Sequence, residues 1–193
     1  MTESFHLSIA VLAAGRSARF GDIDKLAVPL RGKMLGNHAV DTLSQLAADH
    51  KWVIAAGHGH DCAQGWREAG FELVVNPDAA DGMGASAAVA ARLAMDRGAD
   101  ALLICLADMP LVPRSHYQAI IDAARGLGED GIVASSTGKA RMPPACFRKA
   151  RFARLADLHG DCGARALLHD AIVVECAPHW LIDVDRPDDL DLL

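Results

Sequence analysis

Two arginines and a lysine lie among small residues close to the start of the chain. The stretch Leu12–Gly21 reads Leu-Ala-Ala-Gly-Arg-Ser-Ala-Arg-Phe-Gly, and Lys25 follows it. It comes directly after Leu7–Val11, an apolar run typical of a buried β-strand. Small residues allow backbone N–H groups to approach an anion closely, and cations neutralise its charge. The stretch predicts a loop that binds a polyphosphate. The alternative is an ordinary β-to-α turn with solvated Arg and Lys side chains.

The loop matches neither of the two best-known glycine-rich phosphate loops. A Walker loop requires Gly-x-x-x-x-Gly-Lys followed by Ser or Thr, and the sequence contains no such string. A dinucleotide fingerprint requires Gly-x-Gly-x-x-Gly after the first strand, where Gly15 lacks such partners. Phosphate binding would therefore rest on the backbone and the cations of this loop.

A carboxylate stands at the end of a second apolar run. Asp108 follows Ala101–Leu106 and precedes Met109-Pro110. At the rim of a sheet such a carboxylate can reach the ligand crevice, where Mg²⁺ is usually held by one or two carboxylates plus substrate phosphates. The alternative is an aspartate that caps the helix after Pro113.

A second group of acids lies near the C-terminus. Asp183 and Asp185 are two residues apart, so in an extended strand they point to the same side, and either could complete a metal site. Asp188 and Asp189 follow Pro187 in what reads as the first turn of a helix, where negative charge suits the helix dipole. We expect these last two to be structural.

Apolar runs of strand length alternate with helical stretches along the whole chain. The predicted strands are Ser8–Ala13, Trp52–Ala56, Glu72–Asn76, Ala101–Leu106, Gly131–Ser135, Ile172–Cys176 and Leu181–Val184. The predicted helices are Asn37–Asp49, Cys62–Ala69, Gly84–Asp96, Arg114–Gly126, Gly163–His169 and Pro187–Leu192. Continuously apolar strands are typical of a parallel sheet covered on both faces. The pattern predicts an α/β three-layer sandwich with a mostly parallel, Rossmann-like sheet, in one domain spanning residues 1–193.

Composition narrows the class of protein and its partners. A net charge of -6 argues against a nucleic-acid-binding surface, which is normally basic. No apolar run reaches the roughly 20 residues that cross a bilayer, and Met1–His6 lacks the basic region of a secretion signal. The five cysteines are scattered, without a Cys-x-x-Cys pair. We expect a cytoplasmic enzyme with reduced cysteines that binds neither nucleic acid nor a membrane.

The loop and its continuation Lys25–Lys33 resemble the signature of the MobA-like NTP transferase family, the nucleotidyltransferases that build molybdenum cofactors. That signature is Leu-Ala-(Ala or Gly)-Gly-x-Ser-x-Arg-(Met or Phe)-Gly, a short spacer and Lys-Leu. Here the spacer is slightly longer, Met34 stands where proline is usual, and Gly36 replaces an aliphatic residue. Three further blocks match the family in the same order: Gly82–Gly84, Asp108–Pro110 and Asp185–Leu190.

The resemblance implies a nucleotide-diphospho-sugar-transferase-like fold and a set of site residues. It makes Arg19, Lys25 and Asp108 catalytic, and it makes Asp108 and Asp185 the ligands of Mg²⁺. Backbone N–H groups of Ala14–Ser17, with Arg19, are assigned to the β- and γ-phosphates, and Lys25 to the α-phosphate. The implied nucleotide-binding residues are Leu12, Ala13, Ala14, Gly15, Arg16, Ser17, Arg19, Lys25, Gly82, Met83, Gly84 and Ser86.

Two further strings resemble the family's acceptor region. Leu158–Arg165 contains Gly-Asp-Cys-Gly-Ala-Arg, although Asp161 could equally be a helix N-cap, and Arg141–Ala145 loosely matches a proline-containing acceptor loop. His58–Cys62 could suggest a metal site, but adjacent ligands on a loop are weak evidence. We interpret it as a loop at the rim of the sheet.

The resemblance implies transfer of CMP from CTP to molybdopterin, with release of pyrophosphate and possible delivery of the product to a molybdoenzyme. The preference for CTP over GTP rests on Ala14, because the guanylyl branch of the family usually has glycine there. Guanylyl or other nucleotidyl transfer to a different phosphorylated acceptor is one alternative. The others are a non-catalytic cofactor-binding chaperone and an offshoot that acts as an NAD(P)H-dependent reductase.

Overall fold

The computed structural model describes residues 4–15, 20, 23–138, 140–160 and 166–193. Its main feature is a seven-stranded sheet in the order β5-β4-β1-β6-β8-β7-β9, beside a two-stranded hairpin β2-β3. The strands are β1 Leu7–Leu12, β2 Pro29–Leu30, β3 Lys33–Met34, β4 His50–Ala55, β5 Glu72–Val75, β6 Ala101–Leu106, β7 Ile132–Ser136, β8 Arg141–Arg148 and β9 Ile172–Glu175.

The first half of the sheet is parallel, as the apolar runs predict. β1 pairs in parallel with β4 on one side and β6 on the other, and β4 pairs in parallel with β5. Every residue of β1 and β6 is buried, so the sheet is covered on both faces there. Because parallel strands end at the same edge, the segments that follow β1, β5 and β6 meet at one rim.

The second half contains a strand that the sequence analysis did not predict. β8 runs antiparallel to both β6 and β7, while β9 returns to a parallel pairing with β7. Two prolines argue against a central strand, because proline donates no hydrogen bond to the ladder. The register between β7 and β8 shifts at Ala134/Ser135, so that Pro143 and Pro144 fall between paired residues. Since β8 is antiparallel, its first residues lie at the rim where β6 ends.

Helices pack on the sheet in two groups. They are α1 Leu35–Ser44, α2 Ala63–Glu68, α3 Met83–Asp96, α4 Arg114–Arg125 and α5 Phe152–Ala156. Helix α3 contacts α5, and helix α1 contacts α4. These two groups of helices correspond to the outer layers of the predicted three-layer sandwich. No helix in the described ranges combines the length and the apolar character that a membrane crossing needs.

The C-terminal prediction was wrong in part. Leu181–Val184 does not form a strand, because Pro178–Leu181 is a 3-10 helix and the residues after it are irregular. Val184 is held by one backbone hydrogen bond, donated to the Asp108 carbonyl at 3.0 Å. The predicted helix Pro187–Leu192 is 3-10 in form. Of the predicted helix Gly163–His169, the first three residues lie outside the described ranges, and Leu168–Asp170 is a 3-10 turn.

Candidate active site

A cleft of about 610 Å³ opens at the rim where the parallel strands end. Residues from the segments after β1 and β6, from the loop before α3, from the start of β8 and from the C-terminal segment line it. The rim rule for open α/β sheets predicts a ligand at this place.

One cation and two carboxylates meet in the cleft. Lys25 Nζ lies 2.6 Å from Asp108 Oδ2 and 3.1 Å from Asp185 Oδ1. The Lys25 side chain is 8% exposed, against 18% for Asp108 and 44% for Asp185. Three residues that the sequence analysis selected, from positions far apart in the chain, thus form one group that opens toward solvent on the side of Asp185.

Local hydrogen bonds position the members of this group. The Asp24 carboxylate accepts from the Leu26 N–H at 3.0 Å and so caps the 3-10 turn Lys25–Ala27. The carboxylate of Asp189 accepts from the backbone N–H groups of Asp185 and Arg186, at 2.8 and 2.7 Å. Asp189 is therefore structural, as the sequence predicted, and it fixes the backbone of Asp185.

Electrostatics in the cleft favour a bound cation. Burial disfavours the charge on Lys25, but its interactions with Asp108 and Asp185 outweigh that penalty and raise the pKa of the ammonium. Asp183 also lines the cleft. Its pKa is raised, first by desolvation and second by the neighbouring charge of Asp108, with Asp185 adding to the effect. Three carboxylates therefore share one region with Lys25.

The carboxylates suit a hard divalent cation whose coordination shell is completed by oxygens of the substrate. Asp108 Oδ1 is buried and has no hydrogen-bond partner among the described residues, which leaves an oxygen available as a ligand. The described residues contain no group of three or more His, Cys, Asp or Glu side chains that could hold a metal ion. Further ligands would therefore have to come from the substrate. Two carboxylates plus substrate phosphates are the usual environment of Mg²⁺ in proteins.

The start of the predicted phosphate loop forms one side of the cleft. Leu12, Ala13, Ala14 and Gly15 all line it. The Ala13 N–H donates to the Ile54 carbonyl at 2.8 Å, which ties the segment to β4. Arg16, Ser17 and Arg19 lie outside the described residues, and their roles stay predictions.

The loop before α3 forms the next part of the wall. Gly82, Met83 and Ser86 line the cleft. Gly82 adopts a φ of +97°, which favours glycine at this turn. Gly84 is not among the lining residues. A Cβ at Gly84 would lie 2.2 Å from the Gly160 carbonyl oxygen, so this glycine permits close packing against that segment.

Asn76 organises this loop, a role that the sequence analysis did not assign. Its side-chain nitrogen donates to Ser86 Oγ at 3.1 Å, and its side-chain oxygen accepts from the Asp78 N–H at 3.0 Å. Asn76 is 1% exposed. An asparagine directly after a strand and before a glycine-rich turn is the signal that could have predicted it.

The opposite wall is apolar, and the sequence motifs predict only its Arg141–Ala145 part, through the loose match to an acceptor loop. Its residues are Ile104, Leu106, Met142, Pro143, Ala145, Phe147, Leu155 and Leu168, with Arg141 at its edge. Ser135 Oγ donates to the Pro144 carbonyl at 2.9 Å, and the His116 ring lies 2.9 Å from that hydroxyl. This buried pair anchors β8 where the prolines interrupt its pairing.

Comparison with known proteins places this site in a family. The fold is of the nucleotide-diphospho-sugar-transferase type, an α/β fold with a mostly parallel central sheet. A model of the MobA-like NTP transferase domain matches residues 9–176, and the chain belongs to that family. The resemblance drawn from the sequence motifs is confirmed, and the protein is by class a nucleotidyltransferase.

Two curated relatives span most of the chain. The purine catabolism protein PucB of Bacillus subtilis (strain 168) is 31% identical over 200 residues, covering 94% of this chain and 93% of PucB. The nicotine blue oxidoreductase of Paenarthrobacter nicotinovorans is 28% identical and covers 90% of this chain and 83% of its own.

A solved structure shares the same fold over nearly the full length. Rv0371c from Mycobacterium tuberculosis H37Rv superposes with a TM-score of 0.77 at 28% identity, covering 99% of this chain and 97% of that one. A second structure of Rv0371c is a complex with manganese, with a TM-score of 0.70 at 26% identity and 96% coverage of both chains.

Proposed function

We propose that this protein transfers CMP from CTP to the phosphate of molybdopterin, with Mg²⁺ as cofactor and pyrophosphate as the second product. The observation that carries the proposal is the group formed by Lys25, Asp108 and Asp185. It lies in a cleft between the start of the phosphate loop and an apolar wall. Family membership supports nucleotidyl transfer, and the manganese complex of Rv0371c supports a divalent cation.

The chemistry needs positioning more than proton transfer. An oxygen of the acceptor phosphate forms a bond to the α-phosphorus of CTP, and the bond from that phosphorus to the bridging oxygen breaks. The acceptor is already anionic, so no general base is required. Charge builds on the α-phosphate and on the departing pyrophosphate, and fixed cations that neutralise it lower the barrier.

The residues of the cleft take separate roles in this scheme. Asp108 and Asp185 hold Mg²⁺, with Asp183 as the competing ligand, and Mg²⁺ supplies charge neutralisation at the phosphates. Lys25 neutralises the α-phosphate, and Arg19 neutralises the β- and γ-phosphates. The backbone from Ala14 to Ser17 cradles the same phosphates. The apolar wall on β8 receives the ring system of the acceptor.

Ala14 supports CTP as the preferred nucleotide. It lines the cleft and is half-buried. Its methyl group leaves less room than the glycine that the guanylyl branch usually carries. One methyl in a pocket changes selectivity by about 1–3 kcal/mol, so a preference of about tenfold is expected. If the base were chosen by the loop from Asn76 to Ser86 instead, Ala14 would serve only as packing.

The test uses purified protein with CTP or GTP, Mg²⁺ and molybdopterin. Pyrophosphate release is followed by a coupled assay, and the organic product is identified by mass spectrometry. The proposal expects molybdopterin cytosine dinucleotide and an equal amount of pyrophosphate. Transfer of GMP in preference would overturn the choice of nucleotide. Tight binding of molybdopterin without any pyrophosphate would indicate the chaperone instead.

A reductase is the second candidate, because one relative is named nicotine blue oxidoreductase. NADH or NADPH oxidation by the same protein preparation, followed at 340 nm, would favour it.

The recipient of the product is a further question. Because the relative PucB is named a purine catabolism protein, a molybdoenzyme of purine catabolism is the first recipient to test. The cytoplasmic location stays a prediction, and the free thiols of Cys62, Cys105, Cys146 and Cys176 are consistent with it.

A further inference from the structure

The segment from His60 to Trp66 braces the turn that carries Lys25. His60 Nε2 lies 2.8 Å from Asp24 Oδ2. Cys62 Sγ donates to the Leu26 carbonyl at 3.1 Å. Residues on both sides of Lys25 are therefore held by the same neighbouring segment, which follows β4 and begins α2.

Hydrogen bonds fix the orientation and the tautomer of the His60 ring. The Cys62 N–H donates to His60 Nδ1 at 3.1 Å, so this nitrogen must carry a lone pair. The proton of the neutral ring then lies on Nε2, where it is donated to Asp24. The ring also packs against Trp66, with centroids 4.5 Å apart, and its side chain is only 12% exposed.

The Asp24 carboxylate uses both oxygens to stabilise the turn. Oδ1 accepts from the Leu26 N–H at 3.0 Å, while Oδ2 faces His60. Behind the turn, a Cβ at Gly36 would lie 3.0 Å from Leu26 Cβ and 3.2 Å from Cys62 Sγ. The unusual glycine at this position thus permits α1, Cys62 and the Lys25 turn to pack closely together.

We infer that His60 is a positioning residue that acts through Asp24 to hold Lys25 in the cleft. The inference rests on the proposed function, since it concerns the cation assigned to the α-phosphate. His60 is not among the residues that line the cleft. Its contribution is to present an N–H donor to Asp24 at a fixed angle, and its charge is not required.

Two isosteric variants separate the functions of the two ring nitrogens. In His60→Asn the amide oxygen can replace Nδ1 as the acceptor for Cys62, but the side chain is too short to reach Asp24. In His60→Gln the amide nitrogen can replace Nε2 as the donor to Asp24. His50→Asn is the control, because His50 stacks on Trp52 at the other end of β4.

Two measurements on the full-length protein test the inference. Hydrogen–deuterium exchange of residues 24–28 should rise about fivefold in His60→Asn, as expected for loss of one hydrogen bond, and should stay near the wild-type rate in His60→Gln and His50→Asn. Pyrophosphate release with CTP, Mg²⁺ and molybdopterin should show a kcat about tenfold lower in His60→Asn, with the KM for CTP changed less than kcat. His60→Gln should restore kcat.

The outcomes keep this inference apart from the proposed function. Equal exchange and equal kcat in His60→Asn and wild type would overturn the inference. Equal losses in His60→Asn and His60→Gln would also overturn it, because the donor would not then be the determinant. If the wild-type protein releases no pyrophosphate, the proposed function fails, while the exchange rates still decide whether His60 braces the turn.

Discussion

The two ends of the cleft differ in chemistry and in the elements that build them. The charged end carries Lys25, Asp108 and Asp185, presented by loops and by the C-terminal segment. The apolar end is a wall of side chains from β6 and β8, including Ile104 and Met142, completed by Leu155 and Leu168. Under the proposed function the two ends have separate roles. The charged end would stabilise the reacting phosphates, and the apolar end would select the acceptor. Substitutions at one end should therefore change kcat, and those at the other should change the KM for the acceptor.

The largest effect is expected for Asp108→Asn. One oxygen of Asp108 pairs with Lys25 and the other is buried without a partner in the described structure. The substitution therefore removes a charge and, under the proposed function, an anionic ligand of Mg²⁺. We expect kcat to fall about 100- to 1000-fold with a melting temperature close to that of the wild type. Asp188→Asn, an exposed acid in the same protein, should leave kcat unchanged. Near-wild-type turnover of Asp108→Asn with Mg²⁺ would disprove the metal assignment.

Lys25→Ala should have the next largest effect. A cation aimed at the α-phosphate gains strength as charge builds there, so kcat should fall about 10- to 100-fold while the affinity for CTP weakens less. Lys33→Ala is the matched control, because Lys33 pairs with Asp41 away from the cleft. Steady-state kinetics and equilibrium binding of CTP would distinguish the effects. If only CTP binding suffers, Lys25 serves as an anchor for bound nucleotide.

Ala14→Gly tests which part of the cleft determines the preference for CTP over GTP. Removing the methyl group should reduce the preference for CTP over GTP by up to about tenfold, measured as the ratio of kcat/KM values with one acceptor. Turnover with CTP itself should change little. An unchanged ratio would show that the loop from Asn76 to Ser86 makes the choice.

Met142→Ala should produce the smallest effect, and it should appear at the other end of the cleft. Met142 is half-buried on the apolar wall, and loss of part of its contact area should raise the KM for molybdopterin about fivefold. The KM for CTP and the value of kcat should stay within twofold of wild type. Met95→Ala, on the exposed surface of α3, is the control. A rise in the KM for CTP as well would contradict the separation of the two ends.

The charged end was more predictable from sequence than the apolar end, for physical reasons. Continuously apolar strands such as Ala101–Leu106 indicate a parallel sheet, and the rim rule then places Asp108 beside the first loop. β8 escaped prediction because Pro143 and Pro144 oppose strand formation, and only the interrupted pairing with β7 accommodates them. A local sequence pattern does not show that pairing with a distant strand will leave room for these two prolines.

The C-terminal acids and His60 show the same limit. The predicted strand Leu181–Val184, which ends just before Asp185, does not form, yet hydrogen bonds of Asp189 and Val184 hold the Asp185 segment against Asp108. The sequence around His60 indicates only a rim loop, and no local pattern predicts the contact between His60 and Asp24. Contacts between segments that are distant in sequence determine the positions of both Asp185 and His60.

The fate of each phosphate of CTP tests the central claim most directly. Purified protein would be incubated with molybdopterin and Mg²⁺, in parallel with CTP labelled with ³²P at the α-position or at the γ-position. The account predicts that the α-label appears in the molybdopterin product and that the γ-label appears only in pyrophosphate. Transfer of the γ-label to molybdopterin, or retention of both labels in CTP, would contradict nucleotidyl transfer by this site.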